Sequence, residues 1–295
     1  MSLGLITSSG ALSTVIPPSI TLIIFGVATE TSISRLFICG FLPGIVLVAI
    51  VAVYLFIVCK ENAFATKVAE DSADSINNLT FVRALKEGIL VIILPVIVLG
   101  GIYSGLCTPT ESGAIAAIYS FIVAVFVYRD LKVSDLLKVF KDSAKTTAQI
   151  FILLAVSTAF AQAATIAQLP MMIQGVFGGV GKIGFLLILN IVLLIVGCFF
   201  DSSAAILIFA PMLLGTATTL GIDPLQLGII FTINLSIGMF TPPFGLNIFV
   251  SQSVLGVKMG EVAKAVVPFI GLYILGLLLI TYIPQISLLL PALLG

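Results

Sequence analysis

Two proline pairs interrupt apolar stretches of this 295-residue chain, and their surroundings match. The first stretch reads Ser13-Thr14-Val15-Ile16-Pro17-Pro18, and the second Gly238-Met239-Phe240-Thr241-Pro242-Pro243. A later proline accompanies each pair. Pro17 and Pro242, Pro18 and Pro243, and Pro43 and Pro268 all stand 225 positions apart. Proline removes a helical N–H and clashes with the carbonyl one turn back. In lipid, such an interruption is tolerated only where the backbone is buried in protein or lines a polar cavity. Paired interruptions in two repeated halves point to a solute or ion site near the bilayer midplane. The chain is therefore expected to move something across a membrane.

Composition makes lipid the solvent. Residues are 60% hydrophobic and only 9% charged, against about 25% charged in soluble domains. Lys+Arg and Asp+Glu number 13 each, which gives no basic surplus for nucleic acid. Histidine is absent, which removes Ser-His nucleophiles and imidazole metal sites, so an enzyme is not expected. Cys39, Cys59, Cys107 and Cys198 lie far apart and read as small apolar fillers. With no Trp, the interfacial belts fall to Tyr and Phe.

Apolar windows of helical length predict an all-α, polytopic membrane protein with inverted repeats, broken helices and a re-entrant hairpin. Residues 1–59 read as the end of a first repeat: a helix over 3–29 broken at Pro17-Pro18, then a span over 33–59. Residues 60–87 form a polar cytoplasmic linker. Residues 88–295 form a second repeat, with spans over 88–106 and 110–128. A surface-lying amphipathic helix over 129–145 and a span over 146–168 follow. Then come a Gly-rich connector from Gly175 to Gly184, a hairpin over about 183–220, a broken helix over 225–255 and a last span over 262–290. Basic loops at 60–87 and 129–145 place both on the cytoplasmic side. The two broken helices then run in opposite directions. No basic leader precedes the first apolar stretch, and a chain that opens beside a midplane break is expected to lack an upstream portion.

The Gly238–Asn247 stretch carries the sharpest chemistry. Carbonyls freed by Pro242-Pro243 and the Thr241 hydroxyl are hard oxygen ligands suited to Na⁺. Gly238 and Gly245 are expected to permit an unwound backbone. The half-helix after Pro243 presents a positive end that attracts a carboxylate, so Pro242, Pro243, Gly245 and Asn247 are the candidate solute-binding residues. The first break offers Ser8, Ser9, Gly10, Ser13 and Thr14. Asp201 reads either as a polar hairpin tip near a cation or as a loop acid at the membrane surface. Ser202-Ser203-Ala204-Ala205 reads as a close-approach tip or as ordinary helix packing. Glu111 reads as the third helical residue of a capping box begun by Thr108, in preference to a direct transport role.

These motifs resemble the large membrane subunit of tripartite ATP-independent periplasmic (TRAP) transporters, across nearly the whole chain. The resemblance is carried by SSGALSTVIPPSITLIIFGVATETSISRLFICGFLPG at 8–44 and GLCTPTESGAIAAIYSFIVAVFVYRDL at 105–131. FFDSSAAILIFAPMLL at 199–214 and GIDPLQLGIIFTINLSIGMFTPPFGLNIFV at 221–250 complete it. It implies Na⁺-coupled uptake of a small carboxylated solute, such as a C4-dicarboxylate or a sialic or sugar acid, at the bacterial inner membrane. It implies an elevator-type movement and no cofactor beyond Na⁺. The implied partners are a small membrane subunit, a periplasmic solute-binding protein and membrane lipid. The implied sodium ligands are Ser9, Gly10, Ser13 and Thr14, then Asp201, Ser202 and Ser203, and then Gly238, Met239 and Thr241. Gln226-Leu227-Gly228 departs from the family's frequent His-Phe-Gly, in what reads as a periplasmic loop. The alternatives are a binding-protein-independent sodium–dicarboxylate or sodium–proton carrier, a passive channel, and a non-functional truncated fragment.

Overall fold

The structure is a computed structural model that describes residues 1–61, 81–169, 171, 172, 175 and 179–294. Every regular element among these residues is a helix. In chain order they are α1 (Ser2–Ser9), α2 (Leu12–Val15), α3 (Ile20–Ala28), α4 (Ile33–Glu61), α5 (Phe81–Tyr103), α6 (Pro109–Ile122), α7 (Val133–Ile166), α8 (Gly181–Phe199), α9 (Ser202–Thr219), α10 (Pro224–Gly238), α11 (Leu246–Leu255), α12 (Met259–Tyr282) and α13 (Gln285–Leu294). A π-helical turn, Val123–Val127, extends α6. Six of the described helices are long and apolar enough to cross a bilayer. A seventh span results if α1–α2 and α3, bent by 40° at their break, count as one. The chain is an all-α polytopic membrane protein.

Two compact units divide it: residues 1–51 with 148–295, and residues 52–147. In the smaller unit, the Tyr119 hydroxyl donates to the Leu90 carbonyl at 2.8 Å and ties α6 to α5. Thr108 and Glu111 form the expected capping box, with Glu111 Oε2 accepting from the Thr108 N–H at 2.8 Å. Glu111 thus serves the helix start.

In the larger unit, α10 is the central element. Asp223 caps it through the Leu225 N–H at 2.8 Å, Pro224 opens it, and Leu225–Gly238 are all buried. A helix enclosed on every side needs internal partners for its polar side chains. Asn234 Nδ2 donates to Asn190 Oδ1 of α8 at 2.8 Å, and Asn190 Nδ2 donates to Thr281 Oγ1 of α12 at 3.3 Å. Gln226 Nε2 donates to the Thr281 carbonyl at 2.9 Å. This rail fixes α8, α10 and α12 in register. Interhelical hydrogen bonds of this kind contribute about 0.6 to 1.7 kcal/mol each. Asn234→Leu is therefore expected to lower unfolding stability by about 1–2 kcal/mol, read as a lower melting temperature in detergent.

Several expectations are corrected. A surface helix over 129–145 and a separate span over 146–168 are one unbroken helix, α7, because neither glycine nor proline occurs between Val133 and Ile166. The last span over 262–290 is α12 and α13, parted at Ile283-Pro284, where proline cannot continue the ladder. Gln226 is no loop residue: it is 1% exposed, inside α10. The linker expectation over 60–87 falls largely, and the Gly175–Gly184 connector partly, outside the described residues.

Candidate functional site

The two interrupted helices pack against each other in opposite directions. Thr7 Oγ1 and Ser251 Oγ are hydrogen-bonded at 2.8 Å. Asn247 Nδ2 donates to the Thr7 carbonyl at 3.2 Å. The hydroxyls of Thr14 and Ser236 are hydrogen-bonded, and the rings of Phe25 and Phe231 stand 5.7 Å apart. As the first segment ascends from 7 to 25, its partners descend from 251 to 231. The 225-residue offset maps Phe25 onto Val250 and Phe231 onto Ile6. Ile6 and Val250 share one cleft, so the contact at one end has its counterpart at the other.

At the second break, α10 ends at Gly238 and α11 begins at Leu246. The intervening turn is self-bonded. Met239, Phe240 and Thr241 donate to the carbonyls of Leu235, Ile237 and Gly238 at 3.1, 3.2 and 3.1 Å. The Met239 carbonyl accepts from the Asn247 N–H at 2.8 Å, and the Ile248 N–H donates to the Gly245 carbonyl at 2.9 Å. The prolines therefore leave no row of empty carbonyls: each of these oxygens accepts at least one bond, and the Ile237 oxygen accepts a second from the Thr241 hydroxyl. Two of the first three N–H groups of α11 are likewise engaged. That draws down the positive end expected to meet a carboxylate.

The hydroxyls are arranged more simply. Thr241 Oγ1 donates to the Ile237 carbonyl at 2.7 Å. Ser9, Ser13 and Thr14 donate to the carbonyls of Ile6, Gly10 and Ala11 at 2.9, 2.7 and 2.7 Å. Each proton goes inward, so the lone pairs of Ser9, Ser13 and Thr241 remain for another partner, while the Thr14 oxygen is also bonded to the Ser236 hydroxyl. The Thr14 carbonyl is less available, since the Ser19 and Thr21 hydroxyls both donate to it.

Facing the second break is the tip of the α8–α9 hairpin. Asp201 caps α9, with Oδ2 accepting from the Ser203 N–H at 2.8 Å. Gly197, Phe199, Phe200, Asp201 and Ser202 enclose, with Met239, Phe244 and Leu246, a cleft of about 150 Å³. The rings of Phe199 and Phe244 lie 5.6 Å apart across it. Gly10 and Asn247 line a second cleft of about 200 Å³ with Thr7 and Ser251. Ser9, Ser13, Thr14, Ser203, Gly238, Thr241, Pro242, Pro243 and Gly245 line neither. Only five of the expected ligands thus line a cleft: Asp201, Ser202 and Met239 together at the hairpin tip, and Gly10 and Asn247 in the other.

The glycines are corrected in role. Neither Gly238 nor Gly245 has a positive φ. A Cβ on Gly238 would stand 2.2 Å from the Gly197 carbonyl carbon, and one on Gly245 would stand 2.7 Å from the Met239 oxygen. Both positions are glycine for room. Sequence reasoning missed the Asn190–Asn234–Thr281 rail and the Thr7–Ser251 pair. Isolated amides in apolar runs, as in Leu189-Asn190-Ile191 and Ile233-Asn234-Leu235, were the available signal.

Comparison with known proteins places this geometry. Residues 1–286 match the family model described as tripartite ATP-independent periplasmic transporter, DctM component. A C4-dicarboxylate TRAP transporter large permease protein from Pseudomonas aeruginosa is 40% identical, over 99% of this chain and 67% of its own length. An isethionate TRAP transporter permease protein, DctMQ, from Oleidesulfovibrio alaskensis is 37% identical over 97% of this chain and 44% of its own. A sialic acid TRAP transporter large permease protein from Vibrio cholerae is 32% identical over 98% and 67%. The chain belongs to the DctM family of TRAP transporter large permeases: it is an inner-membrane transport permease and not an enzyme.

Proposed function

We propose that this chain carries the Na⁺-coupled step in the uptake of a small carboxylated solute. The observation behind the proposal is the 150 Å³ cleft between the Asp201 hairpin tip and the Met239 break. Organic-ligand pockets run to roughly 300–1,000 Å³, so this cleft suits a partly dehydrated cation better than the solute. Asp201 supplies the charge, Ser202 and the Met239 region supply neutral oxygens, and the aromatic pair Phe199–Phe244 limits water. A cation there offsets the tip carboxylate and draws the tip onto the break, which is how ion binding would bias the unit toward its loaded form. A re-entrant hairpin follows, with Asp201 level with the break in α10–α11.

Relatives named for C4-dicarboxylate, isethionate and sialic acid support an anionic organic solute. The family supports a small membrane subunit and a periplasmic solute-binding protein as partners, and the DctMQ relative is itself a permease of the same type. The test is uptake into proteoliposomes holding this chain with both partners. An inward Na⁺ gradient is expected to drive accumulation of C4-dicarboxylate or another acid of this class. Equal accumulation with choline in place of Na⁺ would refute the coupling.

A further inference from the structure

Tyr273 differs from the other tyrosines in where it sits. Tyr103, Tyr128 and Tyr282 are each at least 36% exposed, as interfacial belts require. Tyr273 is 1% exposed, well inside the 24-residue α12. A phenol in an apolar core needs a hydrogen-bond partner. Its hydroxyl donates to the Ser8 carbonyl at 3.1 Å. Its ring meets that of Phe240 edge-on, with centroids 5.0 Å apart. Ser8 and Phe240 are themselves fully buried.

These two contacts reach both interruptions. Ser8 lies in the last turn of α1, between Thr7 and Gly10 of the 200 Å³ cleft. Phe240 follows Met239, which lines the 150 Å³ cleft. The Ser8 carbonyl belongs to the negative end of α1. It also accepts from the Ala11 N–H at 3.0 Å, so the phenol engages its second lone pair. One side chain thus holds the end of the first broken helix against the turn of the second. The repeat does not dictate this tie. The position 225 residues before Tyr273 is Val48, which is exposed and carries no hydroxyl. A packing need common to both halves would call for a donor in each, whereas a link between two clefts needs only one.

We infer that Tyr273 is a positioning residue that couples the two clefts. It keeps the Thr7–Gly10 segment in register with Met239, so that a cation at the hairpin tip tightens solute binding on the Gly10–Asn247 side. The inference rests on the sodium step proposed above and on Asn247 as a solute residue. The test is the solute concentration for half-maximal uptake, measured at limiting and at saturating Na⁺ in proteoliposomes holding this chain with both partners. Coupling between two sites spans about 5- to 150-fold, so in the wild type that concentration is expected to fall at least about fivefold as Na⁺ rises. Tyr273→Phe keeps the ring and removes the tie to Ser8, and the factor is expected to shrink below about twofold. Phe240→Leu approaches from the other side: it keeps the hydroxyl bond, removes the ring contact, and should also lower the factor. Tyr119→Phe removes an equivalent bond, to the Leu90 carbonyl in the smaller unit, and should keep the wild-type factor. A wild-type factor in both Tyr273→Phe and Phe240→Leu, whatever their maximal rates, would overturn the inference and leave the sodium step standing. So would a factor lowered equally in Tyr119→Phe. A wild type whose half-saturation ignores Na⁺ would instead remove the sodium step, and this coupling with it.

Discussion

Gly238→Ala is expected to disable the protein, although alanine is the better helix former. Its Cβ would sit 2.2, 2.4 and 2.5 Å from the carbonyl carbon, oxygen and Cα of Gly197. These are backbone atoms, so no rotamer change relieves the contact, and α8 must move off α10. Overpacking typically costs 1–3 kcal/mol, and here it falls where the hairpin arm meets the break. The expected result is a loss of at least about 2 kcal/mol in unfolding free energy and of most uptake. Gly271→Ala in α12 is the control: nothing stands within 4 Å of its Cβ. It should be neutral or stabilising by up to about 1 kcal/mol. Equal melting temperatures for the two variants, in detergent, would contradict the close crossing.

Asp201 is expected to separate cap from charge. Asp201→Asn keeps an oxygen able to accept from the Ser203 N–H, so stability should change by only a few tenths of a kcal/mol. It removes the carboxylate charge at the 150 Å³ cleft. The Na⁺ concentration for half-maximal uptake is expected to rise about tenfold or more, which corresponds to about 1.4 kcal/mol of ion affinity. Asp201→Ala should add the loss of the cap, about 1 kcal/mol. If Asp201→Asn transports with unchanged Na⁺ dependence, the residue is a helix cap and nothing more.

The coarse architecture was legible because lipid enforces it. Apolar length places α4, α6, α8, α9 and α12, and the spacing of the two diprolines anticipates segments that pair head to tail, as the Thr7–Ser251 and Phe25–Phe231 contacts do. The capping box at Thr108-Pro109-Thr110-Glu111 is local and was legible too. What sequence could not supply was how the breaks satisfy themselves. Freed carbonyls were the expected ligands, yet the 239–245 turn rebonds most of them through its own N–H groups. Gly238 was read for backbone freedom, when its place against Gly197 depends on a helix forty residues earlier. The charge pattern of 129–145 reads as a separate surface segment, but periodicity alone holds no information on whether it joins the next span, and Val133–Ile166 is one helix.

The central claim is that a sodium ion binds between the hairpin tip and the second break. The chain contains no tryptophan, so Phe244→Trp places a single reporter on the wall of that cleft. Tryptophan fluorescence of this variant, in nanodiscs, is to be followed as Na⁺ replaces choline at constant ionic strength. A saturable Na⁺ response, absent with K⁺ and shifted to higher concentration by Asp201→Asn, is the predicted result. A response that is identical for Na⁺ and K⁺, or indifferent to Asp201→Asn, would contradict it.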